Sequence, residues 1–438
     1  MRVAMIGTGY VGLVSGACFA DFGHLVTCVD KDAEKIAALK RGDLPIYEPG
    51  LDNLVDSNAR DGRLDFTTDL TGPVAAADAV FIAVGTPSRR GDGHADLSYV
   101  YAAAKEIALA ITGFTVIVTK STVPVGTGDE VERIIRETRP DADLAVVSNP
   151  EFLREGAAIR DFKHPDRIVV GTENPRAREV MAELYRPLYL NQAPILYTSR
   201  RTAELTKYAA NAFLATKITF INEIADLAEE VGADVQEIAR GIGLDNRIGS
   251  KFLHAGPGFG GSCFPKDTRA LIKTAQDYDV PLRIVEAVVA VNDTRKRAVA
   301  RKVAAAFGGR LRGKTVAVLG LTFKPNTDDI REAPSIPLVT ALQDMGARVR
   351  VYDPAGMEQA KSVLADVAYC DGPYECCDGA DALVLVTEWE QFRALDFERL
   401  KQTMACPVVV DLRNIYRPED MERHGFLYES IGRSSKKA

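Results

Sequence analysis

Hydrophobic residues in the first 200 positions fall into short runs rich in Val and Ile, separated by stretches with helical spacing. The runs are RVAMIG, HLVTCVD, DAVFIAVG, FTVIVTKST, DLAVVSNP and RIVVG. Near-continuous apolar runs of this length are typical of parallel strands that are buried on both faces. Strands that alternate with helices along the chain predict a doubly wound α/β domain over residues 1–200.

A long helix is predicted over residues 202–231, because no Pro or Gly interrupts this stretch. Such a helix would be about 45 Å long at 1.5 Å per residue. Its apolar residues, which include Leu205, Phe213 and Leu227, occupy more than one narrow face. A helix of this kind joins two domains or packs against its own copy, and we expect a homodimer through it.

The α/β rhythm returns after Lys314 with the runs TVAVLGL, RVRVYDP, ALVLVTEW and PVVVDLRN. The predicted fold class is therefore α/β, with two Rossmann-like doubly wound domains joined by a long central helix and a helical middle domain. The expected boundaries are 1–200 for the N-terminal domain, 201–300 for the helical domain and 312–432 for the C-terminal domain. Residues 433–438 are polar and are expected to form a disordered tail.

Composition narrows the class of protein. The chain has 438 residues, of which 46% are hydrophobic and 26% charged, a mixture typical of globular proteins with more than one domain. No uncharged apolar run reaches about 18 residues, so no membrane span is expected. A net charge of −7 disfavours a nucleic-acid surface. The chain opens on a strand rather than a cleavable leader, so we expect a cytoplasmic location with reduced cysteines.

A glycine-rich turn follows the first predicted strand. Gly7, Gly9 and Gly12 have the spacing GxGxxG, with Tyr10 and Val11 between the last two, and Asp30 ends the next strand. In a dinucleotide site these glycines make the turn, admit the pyrophosphate and let helix and strand pack closely. Asp30 would accept hydrogen bonds from the adenosine ribose and repel a 2′-phosphate, which predicts NAD rather than NADP. A turn used only for packing is the alternative.

A second glycine-rich segment, residues 252–267, reads FLHAGPGFGGSCFPKD. Four of its glycines fall within six residues, and the loop ends in Cys263 just before Pro265 and a predicted helix starting near Asp267. A helix N-terminus and the nearby Lys266 would both lower the pKa of the thiol and raise its reactivity. The alternative is a small buried residue, which we expect for the remaining cysteines: Cys18, Cys28, Cys370, Cys376, Cys377 and Cys406.

The two segments together predict a particular chemistry. Oxidation of a primary alcohol gives an aldehyde, and addition of a thiol to that aldehyde gives a thiohemiacetal that can be oxidised again to a thioester. Water then releases the acid. No C-x-x-C pair or HExxH motif is present, so no metal is expected.

Several motifs resemble those of the UDP-glucose/GDP-mannose dehydrogenase family. They are GTGYVG, EFLREG at 151–156, the long helix with Lys207 and Asn211, GFGGSCFPKD and GLTFKPNTDDIRE, and they cover essentially the whole chain in order. The resemblance implies NAD-dependent oxidation of UDP-glucose to UDP-glucuronate, with the nucleotide-sugar between the domains. FLHAGPGFGGSCF and EFLREG are more similar to the UDP-glucose branch than to the dehydrogenases of GDP-mannose or UDP-N-acetylmannosamine, which are the alternatives.

The resemblance also implies roles for matching residues. NAD would contact residues of both glycine-rich segments and of several strand ends: Gly7, Gly9, Tyr10, Val11, Gly12, Asp30, Lys35, Thr86, Thr122, Glu155, Lys266 and Arg331. The nucleotide-sugar would contact Glu151, Phe152, Leu153, Arg154, Glu155, Lys207, Asn211, Phe252, Leu253, His254, Ala255, Gly256, Gly260, Lys324 and Arg413. Arg247 would reach the site of the partner subunit.

Catalytic roles are expected for six residues: Cys263, Lys207, Asn211, Asp267, Thr122 and Glu151. Lys207 and Asn211 are spaced i, i+4 and so project from one helix face as donors that stabilise an oxyanion. If the family resemblance is set aside, an ordinary solvated lysine on the helix is an equally good interpretation of Lys207. Thr122 and Asp267 would hold the hydrolytic water, and Glu151 would act on the same step.

Two of these roles have simple structural alternatives. Asp267 could instead cap the following helix. Lys324 and Arg413 follow strand ends, where cations suit a diphosphate, but they could be ordinary surface charges.

Two other classes of protein share parts of this pattern. A one-step β-hydroxyacid dehydrogenase would use a lysine without a thiol and reduce one NAD for each carbonyl product. A non-catalytic NAD-binding regulator would reduce none, and it gives no reason for the Gly-Gly-Ser-Cys loop.

Overall fold

Two β-sheets form the centres of two units in the computed structural model, which describes residues 1–89 and 93–434. The first unit comprises Met1–Ala210 with Arg269–Val280, and the second comprises Asn211–Thr268 with the chain from Pro281 onward. Each unit is described separately below.

The first unit contains the predicted N-terminal α/β domain. Its strands are β1 (Arg2–Ile6), β2 (Leu25–Val29), β3 (Leu64–Thr67), β4 (Ala79–Ile82), β5 (Thr115–Thr119), β6 (Leu144–Ser148), β7 (Ile168–Gly171) and β8 (Ile195–Thr198). Among the described residues they lie in the order β3-β2-β1-β4-β5-β6-β7-β8. The first six follow the order 3-2-1-4-5-6 that is typical of doubly wound nucleotide-binding sheets.

One prediction about this sheet is wrong. The run RIVVG, which forms β7, pairs antiparallel with β6 rather than parallel. Burial on both faces gives a strand the same apolar composition whichever way it runs, so composition did not determine its direction. The short strands β3 and β8 were not predicted.

Helices cover both faces of the first sheet. They are α1 (Tyr10–Asp21), α2 (Ala33–Lys40), α3 (Leu51–Arg60), α4 (Thr71–Ala76), α5 (Ser98–Ala110), α6 (Thr127–Thr138), α7 (Ala158–Lys163), α8 (Pro175–Leu184) and a 3-10 helix at Arg186–Asn191. Met5 and Phe81 pack in one core with Phe19 of α1. Their strand neighbours Ile6 and Ile82 point to the opposite core. This alternation confirms the doubly wound prediction.

The predicted long helix is confirmed as α9 (Arg200–Val231), which has 32 residues. Glu204 near its start is buried and accepts hydrogen bonds from the amides of Gly126 (2.7 Å) and Gly128 (2.8 Å) and from the Ser148 hydroxyl (2.9 Å). These bonds fix the beginning of α9 against the N-terminus of α6 and the end of β6. The orientation of Lys207, one turn further along, depends on this anchorage.

The second unit repeats the same strand order. Its strands are β9 (Thr315–Leu319), β10 (Arg348–Tyr352), β11 (Val367–Tyr369), β12 (Ala382–Leu385), β13 (Val408–Asp411) and β14 (Leu427–Ser430). They pair in parallel in the order β11-β10-β9-β12-β13-β14. Each sheet therefore has a switch point, between β1 and β4 in the first and between β9 and β12 in the second, where ligands of such sheets bind.

Helices of the middle region and of the second sheet complete the chain. They are α10 (Val235–Gly243), α11 (Phe264–Asp277), α12 (Arg283–Ala305), α13 (Ser335–Asp344), α14 (Met357–Lys361), α15 (Pro373–Cys377), α16 (Glu390–Arg393), α17 (Phe397–Thr403) and α18 (Pro418–Arg423). The predicted class, two Rossmann-like sheets with a helical middle region, is confirmed. Within the described ranges, no helix is both long and apolar enough to cross a membrane.

The predicted tail is described only in part. Arg433 forms a β-bridge with Asp234, and its Nε lies 2.8 Å from the Asp234 carboxylate. Residues 435–438 lie outside the described residues.

Candidate active site

The predicted glycine fingerprint forms the turn between β1 and α1. Gly7 has φ of +102°, and a Cβ there would lie 2.7 Å from the carbonyl oxygen of Ala83. A Cβ on Gly12 would lie 2.0 Å from the Gly7 oxygen, whereas a Cβ on Gly9 would meet open space. Helix α1 begins at Tyr10 with no side-chain cap at Gly9. Open space beside uncapped N-terminal amides fits a diphosphate.

Asp30 lies beside this turn, at the end of β2. Its Oδ2 accepts hydrogen bonds from the amide (3.0 Å) and hydroxyl (2.7 Å) of Thr8 and from Nζ of Lys35 (3.0 Å). Burial raises the pKa of the Asp30 carboxyl, but these hydrogen bonds outweigh it and lower the pKa to about 2. Asp30 is therefore an anion at neutral pH, placed where the sequence predicted it.

The ends of the neighbouring strands supply further polar groups at the same edge of the sheet. Thr86 follows β4, and its hydroxyl donates to the Thr122 carbonyl oxygen, 3.0 Å away, after β5. The Ser121 hydroxyl donates to the Val84 carbonyl oxygen at 2.7 Å. The fold thus brings the predicted residues Thr86 and Thr122 together at the carboxyl ends of adjacent strands.

Lys207 of α9 is buried, with 3% of its surface exposed, and its Nζ lies 3.0 Å from Oε1 of Glu151. The ring of Phe152 lies 5.2 Å from the same ammonium. A solvated helix lysine is therefore the wrong interpretation. A buried ion pair of this kind costs desolvation free energy, so stability alone gives little reason for it.

Two residues that the sequence reasoning missed support this region. The buried Glu48 accepts hydrogen bonds from the amides of Gly156 (2.6 Å) and Ala158 (2.8 Å) and from the Tyr10 hydroxyl. It therefore ties the segment that contains Glu151 to the fingerprint turn. Its only signal in the sequence is a carboxylate in the apolar loop LPIYEPG.

The second missed residue is Lys120, at the end of β5. Its Nζ donates to Oδ1 of Asn149 and to the Tyr185 hydroxyl, both at 3.1 Å. Burial lowers the pKa of this ammonium to about 8, an effect that the nearby Glu151 carboxylate opposes and Lys207 reinforces. Three charged side chains of the first unit, Lys120, Lys207 and Glu151, are therefore buried away from water.

Cys263 belongs to the second unit and is partly exposed. Its carbonyl oxygen accepts a helical hydrogen bond from the Asp267 amide at 2.8 Å. The thiol thus stands at the N-terminus of α11, as predicted, although α11 begins at Phe264 rather than near Asp267. Pro265 fits the first turn of a helix because its missing N–H has no partner to lose there.

Asp267 does not cap this helix, because it lies inside the first turn and is buried. Its carboxylate accepts a hydrogen bond from Nδ2 of Asn211 at 2.6 Å and lies 2.8 Å from Nζ of Lys266. The alternative cap interpretation is therefore wrong, and three predicted site residues meet within one unit.

The remaining cysteines divide into two groups. Most are buried, as expected: Cys18, Cys28, Cys370, Cys376 and Cys377. Cys406 is partly exposed, so the expectation of burial is wrong there, and its thiol donates to the Asp381 carboxylate at 3.8 Å.

The loop before Cys263 packs tightly against the second sheet. A Cβ on Gly260 would lie 2.4 Å from the carbonyl oxygen of Glu332, and the Gly261 amide donates to the Arg331 carbonyl oxygen at 2.8 Å. A Cβ on Gly256 would lie 3.1 Å from Nη1 of Arg413. Glycine is required here by close backbone approach, which explains the composition of the loop.

Arg413 lies at the switch point of the second sheet. Its Nε donates to the Val386 carbonyl oxygen (2.7 Å) and lies 3.1 Å from the Glu388 carboxylate, while Nη2 donates to the Phe323 oxygen at 3.2 Å. Lys324 is the next residue after Phe323, and its Nζ lies 5.1 Å from the centroid of the Phe323 ring. Both cations are partly buried at strand ends, so an ordinary surface charge does not describe them.

Three further predicted residues are exposed. Arg247 is exposed and pairs with Asp245, with Nη2 2.6 Å from the carboxylate. His254 is exposed, and the Arg331 guanidinium pairs with Asp329 at 2.8 Å. Over residues 1–89 and 93–434, no group of three or more His, Cys, Asp or Glu side chains is arranged to hold a metal ion.

Comparison with known proteins places the whole chain. Residues 1–189 match the NAD binding domain of the UDP-glucose/GDP-mannose dehydrogenase family, residues 201–294 match its central domain and residues 317–418 match its UDP binding domain. The chain is 71% identical to a UDP-glucose 6-dehydrogenase of Rhizobium meliloti (strain 1021) over 435 residues, which cover 99% of this chain and all of that protein.

Solved structures agree with this placement. A UDP-glucose dehydrogenase from the hyperthermophilic archaeon Pyrobaculum islandicum superposes with a TM-score of 0.90 at 41% identity, covering 98% of this chain and 96% of that one. A UDP-D-ManNAc dehydrogenase from Pyrococcus horikoshii superposes with a TM-score of 0.86 at 26% identity, covering 99% and 100%. The sequence-based assignment is confirmed, and the chain belongs to the UDP-glucose/GDP-mannose dehydrogenase family, whose NAD binding domain it contains.

Proposed function

We propose that this NAD-dependent dehydrogenase oxidises C6 of UDP-glucose from alcohol to carboxylate and so forms UDP-glucuronate. The observation that carries the proposal is a partly exposed thiol, Cys263, at a helix N-terminus beside Lys266 and the Asn211–Asp267 pair. UDP-glucose is favoured over the alternative nucleotide-sugars because relatives named for it have much the higher identity to this chain.

NAD, when bound, accepts an electron pair in each of the two oxidations. The residues of the fingerprint turn would hold its diphosphate through backbone amides, and Asp30 would accept hydrogen bonds from the adenosine ribose. Further contacts are proposed from Lys35, Thr86, Thr122, Glu155, Lys266 and Arg331.

Cys263 makes the second oxidation possible. After the alcohol has become an aldehyde, the sulfur forms a bond to the carbonyl carbon and the carbonyl oxygen gains a proton, giving a thiohemiacetal. Removal of a hydride from this carbon, together with loss of the hydroxyl proton, leaves a thioester, and water breaks the C–S bond to give the acid and the free thiol. The thiolate is the form of the sulfur that attacks the aldehyde, and a helix N-terminus favours this form.

The remaining polar groups would stabilise charge on the substrate and orient the hydrolytic water. Lys207 would stabilise the oxygen on the reacting carbon, since an ammonium in a dry setting acts strongly on developing negative charge. Asn211 would assist as a neutral donor, and Asp267, Thr122 and Glu151 would orient the hydrolytic water. Arg413 and Lys324 would neutralise the diphosphate of the substrate.

Counting reduced cofactor tests the reaction directly. We expect two NADH for each UDP-glucuronate formed. We expect Cys263→Ser to lower acid formation by at least about a thousandfold while NAD still binds, because no thioester can form. Cys406→Ser, at the other partly exposed thiol, is the matched control and should keep full activity.

Other stoichiometries would decide against the proposal. One NADH with a carbonyl product would indicate a one-step dehydrogenase. An absence of NADH with every nucleotide-sugar tried would indicate a non-catalytic NAD-binding protein.

A variant without the Lys207 ammonium distinguishes an effect on the chemical step from an effect on NAD binding. Lys207→Met should lower kcat by about a hundredfold or more, because it removes stabilisation of the oxyanion, and should change the Kd for NAD little. Steady-state kinetics and calorimetric NAD titration measure the two effects. Lys217→Met, at the other lysine of α9, serves as control. A variant with nearly normal kcat would show that Lys207 only fills space.

Loss of the carboxylate at Asp30 should weaken the binding of NAD. Asp30→Ala should raise the Kd for NAD about tenfold, as expected when a hydrogen bond to a charged group is lost, while narrowing the preference for NAD over NADP. The exposed Asp65 on β3 supplies the control substitution Asp65→Ala. An unchanged Kd for NAD would contradict the proposed ribose contact.

We further propose that two copies of the chain pair through α9. Phe213, Phe220 and Leu227 recur every seven residues on this helix, with 65%, 50% and 57% of their surfaces exposed. Three large apolar side chains in one exposed row are typical of an interface. In such a dimer, the exposed Arg247 would reach the site of the other copy.

Sedimentation should show a particle of two chains, and Phe213→Arg combined with Phe220→Arg should reduce it to one by placing charges in the interface. Leu190→Arg, at an exposed apolar residue of the first unit, should leave the mass unchanged. A wild-type monomer at micromolar concentration would refute the pairing.

We also propose a cytoplasmic location, because all seven cysteines are free thiols, the state that reducing compartments maintain. Recovery of the activity outside the cytoplasmic fraction of cells would contradict it.

A further inference from the structure

Helix α12 carries a row of buried polar side chains that the proposed function does not use. Asn292 and Arg295 are 3% and 7% exposed, and Lys296 is buried beside them. Their spacing of three and four residues puts them on one face of the helix. Burying such groups is unfavourable unless each is hydrogen-bonded, so their partners indicate what the row is for.

Asn292 binds the backbone of the loop that carries Cys263. Its Oδ1 accepts a hydrogen bond from the Phe259 amide (2.8 Å), and its Nδ2 donates to the Phe259 carbonyl oxygen (3.1 Å). One side-chain amide therefore satisfies both backbone groups of one residue, as a neighbouring β-strand would. A Cβ on Gly258 would lie 2.9 Å from the same Oδ1, so this close approach needs glycine there.

Arg295 holds the same loop three residues earlier. Its Nε donates to the Gly256 carbonyl oxygen (2.7 Å), and its Nη1 lies 2.7 Å from the Asp226 carboxylate. The Gly256 amide donates to Oδ1 of Asn222 on α9 at 2.8 Å. Both backbone groups of Gly256 are thus taken by buried side chains as well.

Lys296 supports the far side of the loop. Its Nζ lies 3.2 Å from the Glu332 carboxylate, and the Glu332 carbonyl oxygen is the atom that Gly260 closely approaches. Beyond Gly260 and Gly261 the chain reaches Cys263 and enters α11. The backbone is therefore held at Gly256 and Phe259 before the glycine pair that leads to the thiol, and within that pair the Gly261 amide donates to the Arg331 carbonyl oxygen.

We propose that Asn292 and Arg295 are positioning residues for Cys263, which hold the glycine-rich loop in the one conformation that places the sulfur at the N-terminus of α11. Four glycines in six residues would otherwise give this segment many conformations, and fixing one of them costs backbone entropy. Only the part that this sulfur plays in turnover rests on the proposed function; its position does not.

Substitutions that remove single hydrogen bonds test the proposal. Asn292→Asp keeps the shape of the side chain but turns a carboxylate oxygen toward the Phe259 carbonyl oxygen. Arg295→Lys keeps the charge beside Asp226 but cannot also donate to the Gly256 oxygen. Thr294→Ala, at an exposed position of the same helix, is the matched control.

The principal readout is the rate at which iodoacetamide alkylates Cys263 as a function of pH, located by peptide mass spectrometry in the absence of nucleotide-sugar. We expect the alkylation profile of Asn292→Asp to move to higher pH, with a rate at pH 7 reduced at least fivefold. Its kcat should fall at least tenfold while the KM for NAD stays within twofold. Arg295→Lys should change the alkylation profile and kcat in the same direction, and Thr294→Ala should change neither of these two quantities.

Alkylation rates and kcat within twofold of wild type in both variants would overturn the proposal. If neither variant folds, hydrogen exchange of the wild-type protein decides, since the Gly256 and Phe259 amides must then be protected although they lie in a loop; rapid exchange there would overturn it. Because alkylation needs no substrate, it gives its answer even if Cys263→Ser proves active and the thioester route fails.

Discussion

The hydrogen bonds that buried side chains make to glycine-rich backbone are the constraint on which the rest of this molecule depends. Glycine allows the close approach that ligands and packing require, but it leaves the chain free to adopt many conformations. At Gly256 and Phe259 the buried groups of Asn222, Asn292 and Arg295 take up the backbone donors and acceptors. The first unit has a related arrangement, in which Asp30 holds the amide and hydroxyl of Thr8 inside the fingerprint turn.

Two sheets with one strand order give the chain two switch points. The crevice outside the carboxyl ends of β1 and β4 holds the fingerprint turn, whose uncapped helix terminus suits an anion. The equivalent place in the second sheet holds Arg413, which contacts the ends of β9 and β12 through Phe323 and Val386. One architecture, used twice, thus supplies two crevices, one with the fingerprint turn and one with a partly buried arginine.

Three of the charged side chains buried within the first unit are Lys120, Glu151 and Lys207. Lys207 and Glu151 form an ion pair that is almost wholly buried, and Lys120 adds a second ammonium whose pKa burial lowers to about 8. Such groups gain little stability over apolar residues of the same volume. They are useful where charge develops during a reaction, because a dry environment strengthens their action on it. The anchorage of α9 through Glu204 keeps Lys207 in register with its partner.

The amino-acid sequence by itself determined what depends on neighbouring residues. Val- and Ile-rich runs specified most of the strands, the uninterrupted stretch specified α9, and the glycines with Asp30 specified the fingerprint turn. Cys263 was placed at a helix N-terminus because the loop, Pro265 and the following helix are adjacent in the chain. Only the tertiary structure decided the direction of β7, the burial of Lys207 and the roles of Glu48, Asn292 and Arg295. Each of these depends on a partner far away in the sequence, and a contact between distant segments leaves no periodic pattern in either of them.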